Sequence, residues 1–424
     1  MNSIAAIYYF FSPYTGPEER KIATFFAKVR EHTPKQKVTY ELRQLVQQNA
    51  AAVNLWSEHR YKGYRYLKKS TRQTLYKNLA LIEADFATFC TNNPYSINEL
   101  ATAQPQLAST LRLAAKAEQL LLIAQIMQYL APERGLYHYQ LSSSFGRLLK
   151  NPSQEKLIGD CNQIVTLYLY LYSRHFNVDD LQLRLLPEHV ALHYNGIDIE
   201  ATLGTFADYT TTKNARLVPV EEIVSINLLD VSDEQFTKRA IPARDFLQAA
   251  RMASLISSEQ ALTTHNLDAA YRTAITDLQR RNQYATALQY AKQSRDHELI
   301  SLVAHNGALH ATEHHNFTAA RKFAAHAPKK HELIITSYRA EGAYHFAAGR
   351  YQQAADAYQK AHDSAAVRSC YEALWAKEQA KLGNNLTTNT IKNHAQTITR
   401  MHNYAKKSGN KTLINHTDEL KKHI

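Results

Sequence analysis

Residues 187–204 read PEHVALHYNGIDIEATLG. Asn195-Gly196 between two alternating runs is the strongest short-range signal for a tight hairpin. A two-residue turn there pairs Tyr194 with Ile197, His193 with Asp198, Ala191 with Glu200 and His189 with Thr202. Because strand side chains alternate with period two, His189, Ala191, His193, Asp198, Glu200 and Thr202 fall on one face. Val190, Leu192, Ile197, Ile199 and Leu203 take the other. Glu200 is then diagonal to His189, within reach of a long side chain, whereas Asp198 lies two pairs away and faces His193. The geometry favours Glu200 over Asp198 as the partner that orients the His189 imidazole.

Two flanking runs, LQLRLLP (181–187) and VSINLLD (224–230), also look strand-like, so a small sheet is expected between about 181 and 230. Before it comes GDCNQIVTLYLYLYSRHF (159–176). LYLYLY alternates like a strand. The stretch nevertheless runs without Gly or Pro after Gly159 and places Ile164, Val165, Tyr168, Leu171 and Tyr172 on one stripe, which favours a helix. Cys161 then sits in the first turn, where the helix N-terminus stabilises a thiolate. A free cysteine is often only a buried, inert side chain. Here an imidazole and a carboxylate follow on one strand face, and thiol, imidazole and acid together are the working set for covalent acyl transfer. The Cys161 backbone N–H is the natural oxyanion donor, with Gln154 and Gln163 as further candidates.

A Gly-x-Cys opening a helix, a His opening a strand and an acid before a Thr in the next strand resemble the transglutaminase-like superfamily. About 90 of the 424 residues carry the resemblance. It implies Cys161 as nucleophile, His189 as general base and Glu200 as the third member. The family's acid is more commonly Asp, and the aromatic residue often found after its His is replaced here by Val190 and Ala191.

The C-terminal third repeats itself. DHELI (296–300) recurs as KHELI (330–334); Phe317 and Tyr351 are also 34 apart, as are Ala320 and Ala354, Ala327 and Ala361, and Ala308 and Gly342. One unit earlier, Tyr284 and Ala287 precede Phe317 and Ala320 by 33. A 34-residue helix–turn–helix period resembles the tetratricopeptide (TPR) family over about 265–380. Gly342, Ala343, Ala347 and Ala354 are expected to let paired helices approach, with Tyr344, Tyr351 and Tyr358 filling the groove. One rival motif lies in this region: His310-Ala-Thr-Glu313-His314 matches the H-x-x-E-H spacing of inverted zincins. It falls on a repeat helix with no third ligand, so surface histidines are the better reading and no metal or cofactor is expected.

The rest of the chain is less specific. MNSIAAIYYFFSPY at the start is too short to span a bilayer and has no basic residues before its apolar run. It is read as a buried strand or first core segment. Val38 to Phe89 shows helical spacing, and residues 96–131 read as a long helix stopped at Ala131-Pro132. Three scattered cysteines, Cys90, Cys161 and Cys370, argue for a reducing compartment, and with no apolar membrane-length run a cytoplasmic protein is expected. The net charge of +12 raises nucleic-acid binding, but Lys and Arg are scattered. Their densest cluster, Arg60 to Arg72 with Tyr61, Tyr64 and Tyr66, fits a solvated helix face.

The expected architecture is α+β and predominantly helical. An N-terminal helical region (1–135) precedes a transglutaminase-like core (136–240) whose small antiparallel sheet packs on the Cys-bearing helix. An α-solenoid of TPR-like helix pairs (241–382) and a basic capping helix or tail (383–424) follow. The function implied is a cysteine-dependent acyl-transferase or hydrolase acting on an amide bond, with the arm recruiting a protein or peptide. The alternative is a non-catalytic scaffold on the same fold.

Overall fold

A computed structural model describes residues 8–142, 144–230, 242–383 and 390–424. The chain divides into two compact units, residues 1–270 and 271–424.

In the first unit, α1 (Pro17–Lys28) opens with Pro17 and places Glu18 and Glu19 in its first turn, where the helix dipole favours them. Helix α2 (Lys35–Tyr61) is kinked at Asn49, whose φ of −168° and ψ of 89° leave the helical region. The Asn49 Oδ1 accepts the Ala52 N–H at 2.8 Å and so caps the second half. Helix α3 (Lys69–Asn92) and helix α4 (Ala114–Leu130) complete the N-terminal part. The long helix expected over 96–131 is broken: Ile97–Ala103 is a separate short helix, and Pro105 opens a 3-10 turn after it. Proline cannot continue a helix interior, so only the stop at Ala131 matches the expectation.

Two other N-terminal expectations are corrected. Residues 8–11 are helical, and Tyr8, Phe10 and Phe11 are exposed, so this stretch is not a buried strand; residues 1–7 lie outside the described residues. The cluster from Arg60 to Arg72 is a solvated face only in part: Arg60, Arg65 and Lys68 are exposed. Tyr61, Lys62, Tyr64 and Arg72 are buried, and Arg72 pairs with buried Glu19 at 2.7 Å. A guanidinium taken from water is retained here because Glu19, the Leu67 carbonyl and the Pro13 carbonyl accept all its directions.

Strand β1 (Tyr137–Tyr139) pairs in parallel with β2 (Leu157–Gly159), and β2 runs into α5 (Cys161–Ser173). Five antiparallel strands follow: β3 (Leu181–Leu186), β4 (His189–Tyr194), β5 (Ile197–Glu200), β6 (Thr205–Ala207) and β7 (Arg216–Pro219). Their spatial order is β6-β5-β4-β3-β7, with α5 packed against β4. The hairpin register is Tyr194 to Ile197, His193 to Asp198 and Leu192 to Ile199, closed by Asn195 and Gly196 at φ of 45° and 84°. VSINLLD is not a strand; it lies in helix α6 (Glu222–Leu229). A short apolar run buried on all sides has no periodicity to tell strand from helix, and packing decided it. Helix α7 (Ala243–Ile256) packs on α6 and α2, so it belongs with this unit and not with the helical repeats. One continuous core runs from Ile22 to Ile256, without a break at 135.

The division between units falls within α8 (Gln260–Arg280). Beyond it, sequential helices pack in antiparallel-type hairpins: α9 (Tyr284–Ser294), α10 (His297–Glu313), α11 (Phe317–Ala324), α12 (Lys330–Ala347), α13 (Tyr351–Lys360) and α14 (Ser364–Gln379). The period is visible in the backbone. Asn282, His315 and Gly349 each adopt a left-handed φ (59°, 57°, 69°) two residues before Tyr284, Phe317 and Tyr351 open the next helix. Each turn is closed by the same 6→1 bond, at 2.8, 2.8 and 2.9 Å, from Gln283, Asn316 and Arg350 N–H groups to the Leu278, Ala311 and His345 carbonyls.

Close approach depends on Gly342, where an added Cβ would stand 2.8 Å from the Tyr358 ring, and on Gly307, where it would stand 2.9 Å from Phe323. Ala343, Ala347 and Tyr344 do not line this groove; they are exposed, and Tyr344 rests on His315 with ring centres 4.5 Å apart. At the end, α15 (Ala395–Ser408) packs on α14, and α16 (Lys411–Lys421) is a helix where a tail was expected. Trp375, Met401 and Ala405 form its small core.

Candidate active site

The site starts where β2 ends. Asp160 stands at the N-cap of α5: its carboxylate accepts the Asn162 N–H at 3.0 Å, and Gln163 Oε1 accepts the Asp160 N–H at 2.8 Å, a reciprocal capping box. The Ser142 N–H donates to the other Asp160 oxygen at 3.1 Å, tying the preceding loop to the same cap. Burial pushes the Asp160 carboxyl up to about 7, with help from the Asp230 carboxylate, although three backbone hydrogen bonds pull the other way. Cys161 is thus the first residue of α5 and is 8% exposed. Gln163 is buried with its Oε1 taken by the cap, and Gln154 is exposed on a turn. The Cys161 N–H is left as the donor at the helix start.

His189 opens β4 directly after Glu188, which turns the chain at φ 57°. The His189 Nε2 stands 2.6 Å from Glu200 Oε2. A hydrogen bond with the Cys161 thiol and the one with Glu200 raise the imidazole from 6.5 to about 10, against the opposing effect of burial. With Nε2 on the carboxylate, Nδ1 is the ring nitrogen left for another partner. Burial alone would raise the Glu200 carboxyl; hydrogen bonds from His189, Thr202 and Tyr209 outweigh it and hold the group at about 2. The Thr202 N–H and Oγ1 both donate to Glu200 Oε1, and the Tyr209 hydroxyl donates to Oε2 at 2.6 Å.

The structure therefore brings Cys161, His189 and Glu200 together. It places Asp198 elsewhere, in a second imidazole–carboxylate pair on the same face. Asp198 Oδ1 stands 2.7 Å from His193 Nδ1 and accepts Arg184 Nε at 2.8 Å. The Gly196 N–H donates to His193 Nε2 at 3.1 Å, which leaves Nδ1 as the protonated nitrogen facing Asp198. Burial would raise the Asp198 carboxyl; Arg184, His193 and the Tyr209 N–H together hold it below its ordinary value.

Sequence reading missed Tyr209, Arg184 and the β1 tyrosines. The Tyr137 hydroxyl donates to the Gly159 carbonyl at 2.9 Å, fixing the backbone two residues before the thiol. Partial burial raises the phenol of half-exposed Tyr139, and the nearby Cys161, Asp160 and Glu200 groups raise it further. Nothing periodic marks a three-residue strand, and Tyr209 sits in a loop, so only the Cys–His–Glu set carried a signal. Two clefts of this unit, of about 560 and 720 Å³, are lined by Tyr194 and Asn195 in one case and by Cys90 and His175 in the other, and not by Cys161. On the repeat helix, His310 and His314 stack with centres 4.1 Å apart. Among the described residues no group of three or more His, Cys, Asp or Glu side chains is placed to hold a metal. No described helix is long and apolar enough to cross a membrane.

No family model, curated protein or solved structure matches the chain.

Proposed function

We propose that the first unit is a transglutaminase-like cysteine hydrolase or acyltransferase acting on an amide carbonyl. The observation that supports this most is the His189 imidazole, held at 2.6 Å by Glu200 and raised by the neighbouring Cys161 thiol as well as by that carboxylate. In the proposed cycle the resting His189 imidazolium already carries the Sγ proton, and the sulfur attacks the carbonyl carbon. The developing oxyanion meets the Cys161 N–H. The imidazolium then protonates the leaving nitrogen, the C–N bond breaks, and a thioester remains. Water, deprotonated by His189, attacks the thioester to release the acid and restore the thiol. Glu200 stays ionised throughout and stabilises the imidazolium. Hydrolysis is favoured over cross-linking because nothing in the sequence specifies an amine acceptor.

For the second unit we propose a TPR-like array that recruits a protein substrate or partner. Its 33- and 34-residue recurrence of left-handed turns supports the class. Its charge supports an acidic partner: residues 271–424 hold 22 Lys and Arg against 12 Asp and Glu, a net of +10 out of +12 for the whole chain. The alternative is a scaffold whose Cys–His–Glu set is idle.

Alkylation by iodoacetamide, read cysteine by cysteine by mass spectrometry, separates the two. Burial raises the Cys90 thiol and pushes Cys370 up to about 11, so both are built-in unreactive comparisons. Cys161 is expected to label at pH 6–7, well ahead of the other two, and His189→Ala to slow it about 10-fold or more. Labelling of Cys161 that is slow and indifferent to His189→Ala would leave the scaffold.

A further inference from the structure

The hairpin carries two imidazole–carboxylate pairs, and one residue touches both carboxylates. The Tyr209 N–H donates to Asp198 Oδ2 at 2.8 Å, and the Tyr209 hydroxyl donates to Glu200 Oε2 at 2.6 Å. Asp198 is in turn immobilised by Arg184 Nε at 2.8 Å and His193 at 2.7 Å, all three side chains being buried. We propose that Tyr209 is a positioning residue for the Cys161–His189–Glu200 set, and that the His193–Asp198–Arg184 cluster is the anchor that holds Tyr209 in place. The assignment rests on the Cys–His–Glu function proposed above.

The physical case is one of degrees of freedom. A glutamate has three side-chain torsions, and Thr202 fixes only its Oε1. The oxygen that faces His189 is Oε2, and the Tyr209 hydroxyl is its other protein donor. Tyr209 lies in the loop between β6 and β7, where its backbone has no strand or helix pairing and its carbonyl accepts the Thr212 N–H of a turn at 3.1 Å. A hydroxyl on a free loop cannot hold a carboxylate to the few tenths of an ångström that a base-orienting contact needs. The buried Asp198 oxygen supplies the missing constraint by fixing the Tyr209 backbone from the sheet side. That also explains why a second, inaccessible His–Asp pair stands four residues from the first on β4 and two on β5: it does no chemistry but carries the loop. Burial and the Glu200 carboxylate keep the phenol protonated, as a donor must be. The other groups near Glu200 are the phenols of Tyr137 and half-exposed Tyr139, from β1, and of Tyr168, from α5. The Tyr137 hydroxyl bonds the Gly159 carbonyl and Tyr168 makes no side-chain hydrogen bond, so neither can replace Tyr209 without moving.

The test is the pH profile of Cys161 alkylation by iodoacetamide in the full chain, from pH 3 to 9, for wild type, Tyr209→Phe, Asp198→Asn and His189→Ala. Tyr209→Phe removes one oxygen and leaves the backbone bond to Asp198 intact. It is expected to slow alkylation at pH 6 by about three- to tenfold, the effect of roughly one hydrogen bond to a charged group, and to move the acidic limb upward. Asp198→Asn is expected to move the limb in the same direction, and the double variant to add little, because both act through one contact. A merely structural tyrosine would lower the melting temperature and leave the limb where it is. An unmoved limb in Tyr209→Phe, with His189→Ala still strongly slowed, would overturn the positioning role and leave the Cys–His function standing. Profiles unchanged in all three variants would overturn both. Should Asp198→Asn fail to fold, Tyr209→Phe alone decides.

Discussion

Glu200 and His189 hold opposite charges in contact, and the consequence is a stability that depends on pH in a defined window. His189 is raised from 6.5 to about 10, so its contribution is full below pH 6.5 and is lost as pH rises through 10. Glu200 is lowered from 4.5 to about 2, so its contribution is full above pH 4.5 and is lost as pH falls through 2. Both are complete only between about pH 4.5 and 6.5. Glu200→Gln should therefore reduce the unfolding free energy most near pH 5.5, by about 1–3 kcal/mol, and less at pH 3 and pH 9.5. Urea titrations at the three pH values check this, and a deficit equal at all three would mean that charge is not what the pair contributes. The Asp160 cap makes a separate demand. Asp160→Ala removes the acceptor of the Asn162 and Ser142 N–H groups, at an expected cost of about 0.5–2 kcal/mol. It should also slow Cys161 alkylation, because the first turn of α5 is what presents the sulfur.

Among the elements, the repeat hairpins offer the sharpest test. Gly342 faces the Tyr358 ring so closely that a methyl group would stand 2.8 Å from it, whereas Gly349, at a φ of 69°, has nothing within 4 Å. The two glycines are kept for different reasons, contact in one and backbone conformation in the other. Gly342→Ala should cost about 1–3 kcal/mol by forcing α12 and α13 apart. Gly349→Ala should cost less, about 1–2 kcal/mol, from the left-handed backbone alone. Hydrogen exchange would show faster opening of α12 and α13 for the first, and opening centred on the turn for the second. The reverse ranking would mean that the glycine at the helix crossing is not what sets the spacing.

At the scale of the whole chain the feature that stands out is where the charge lies. Of the net +12, residues 271–424 account for +10, which leaves the unit with the candidate active site close to neutral. An acidic partner attracted by that charge must feel salt, since the screening length shrinks from about 10 Å at 0.1 M to about 3 Å at 1 M. Polyglutamate should bind the full chain at low ionic strength and be released as salt rises. Binding that ignores salt would assign the contact to apolar surface instead.

Much of this was legible in one dimension. Asn195-Gly196 sets a two-residue turn, a two-residue turn sets the register, and register alone puts His189 and Glu200 on one face. Likewise the spacing of Tyr284, Phe317 and Tyr351 marks the first residue of three helices, because a helix pair of constant length must repeat its small and large residues at a constant interval. These features are local or periodic, so they survive in sequence. What tertiary structure decided is of the other kind. VSINLLD became helix α6 because its surroundings bury it on all sides, and Arg72 left the surface because Glu19 and the Pro13 carbonyl, both more than fifty residues away in sequence, meet it beside the local Leu67 carbonyl. Tyr209, in a loop, meets Glu200 through its hydroxyl and Asp198 through its backbone N–H. No periodicity encodes a contact between a loop and a buried carboxylate; only the packed chain brings those atoms within hydrogen-bonding distance.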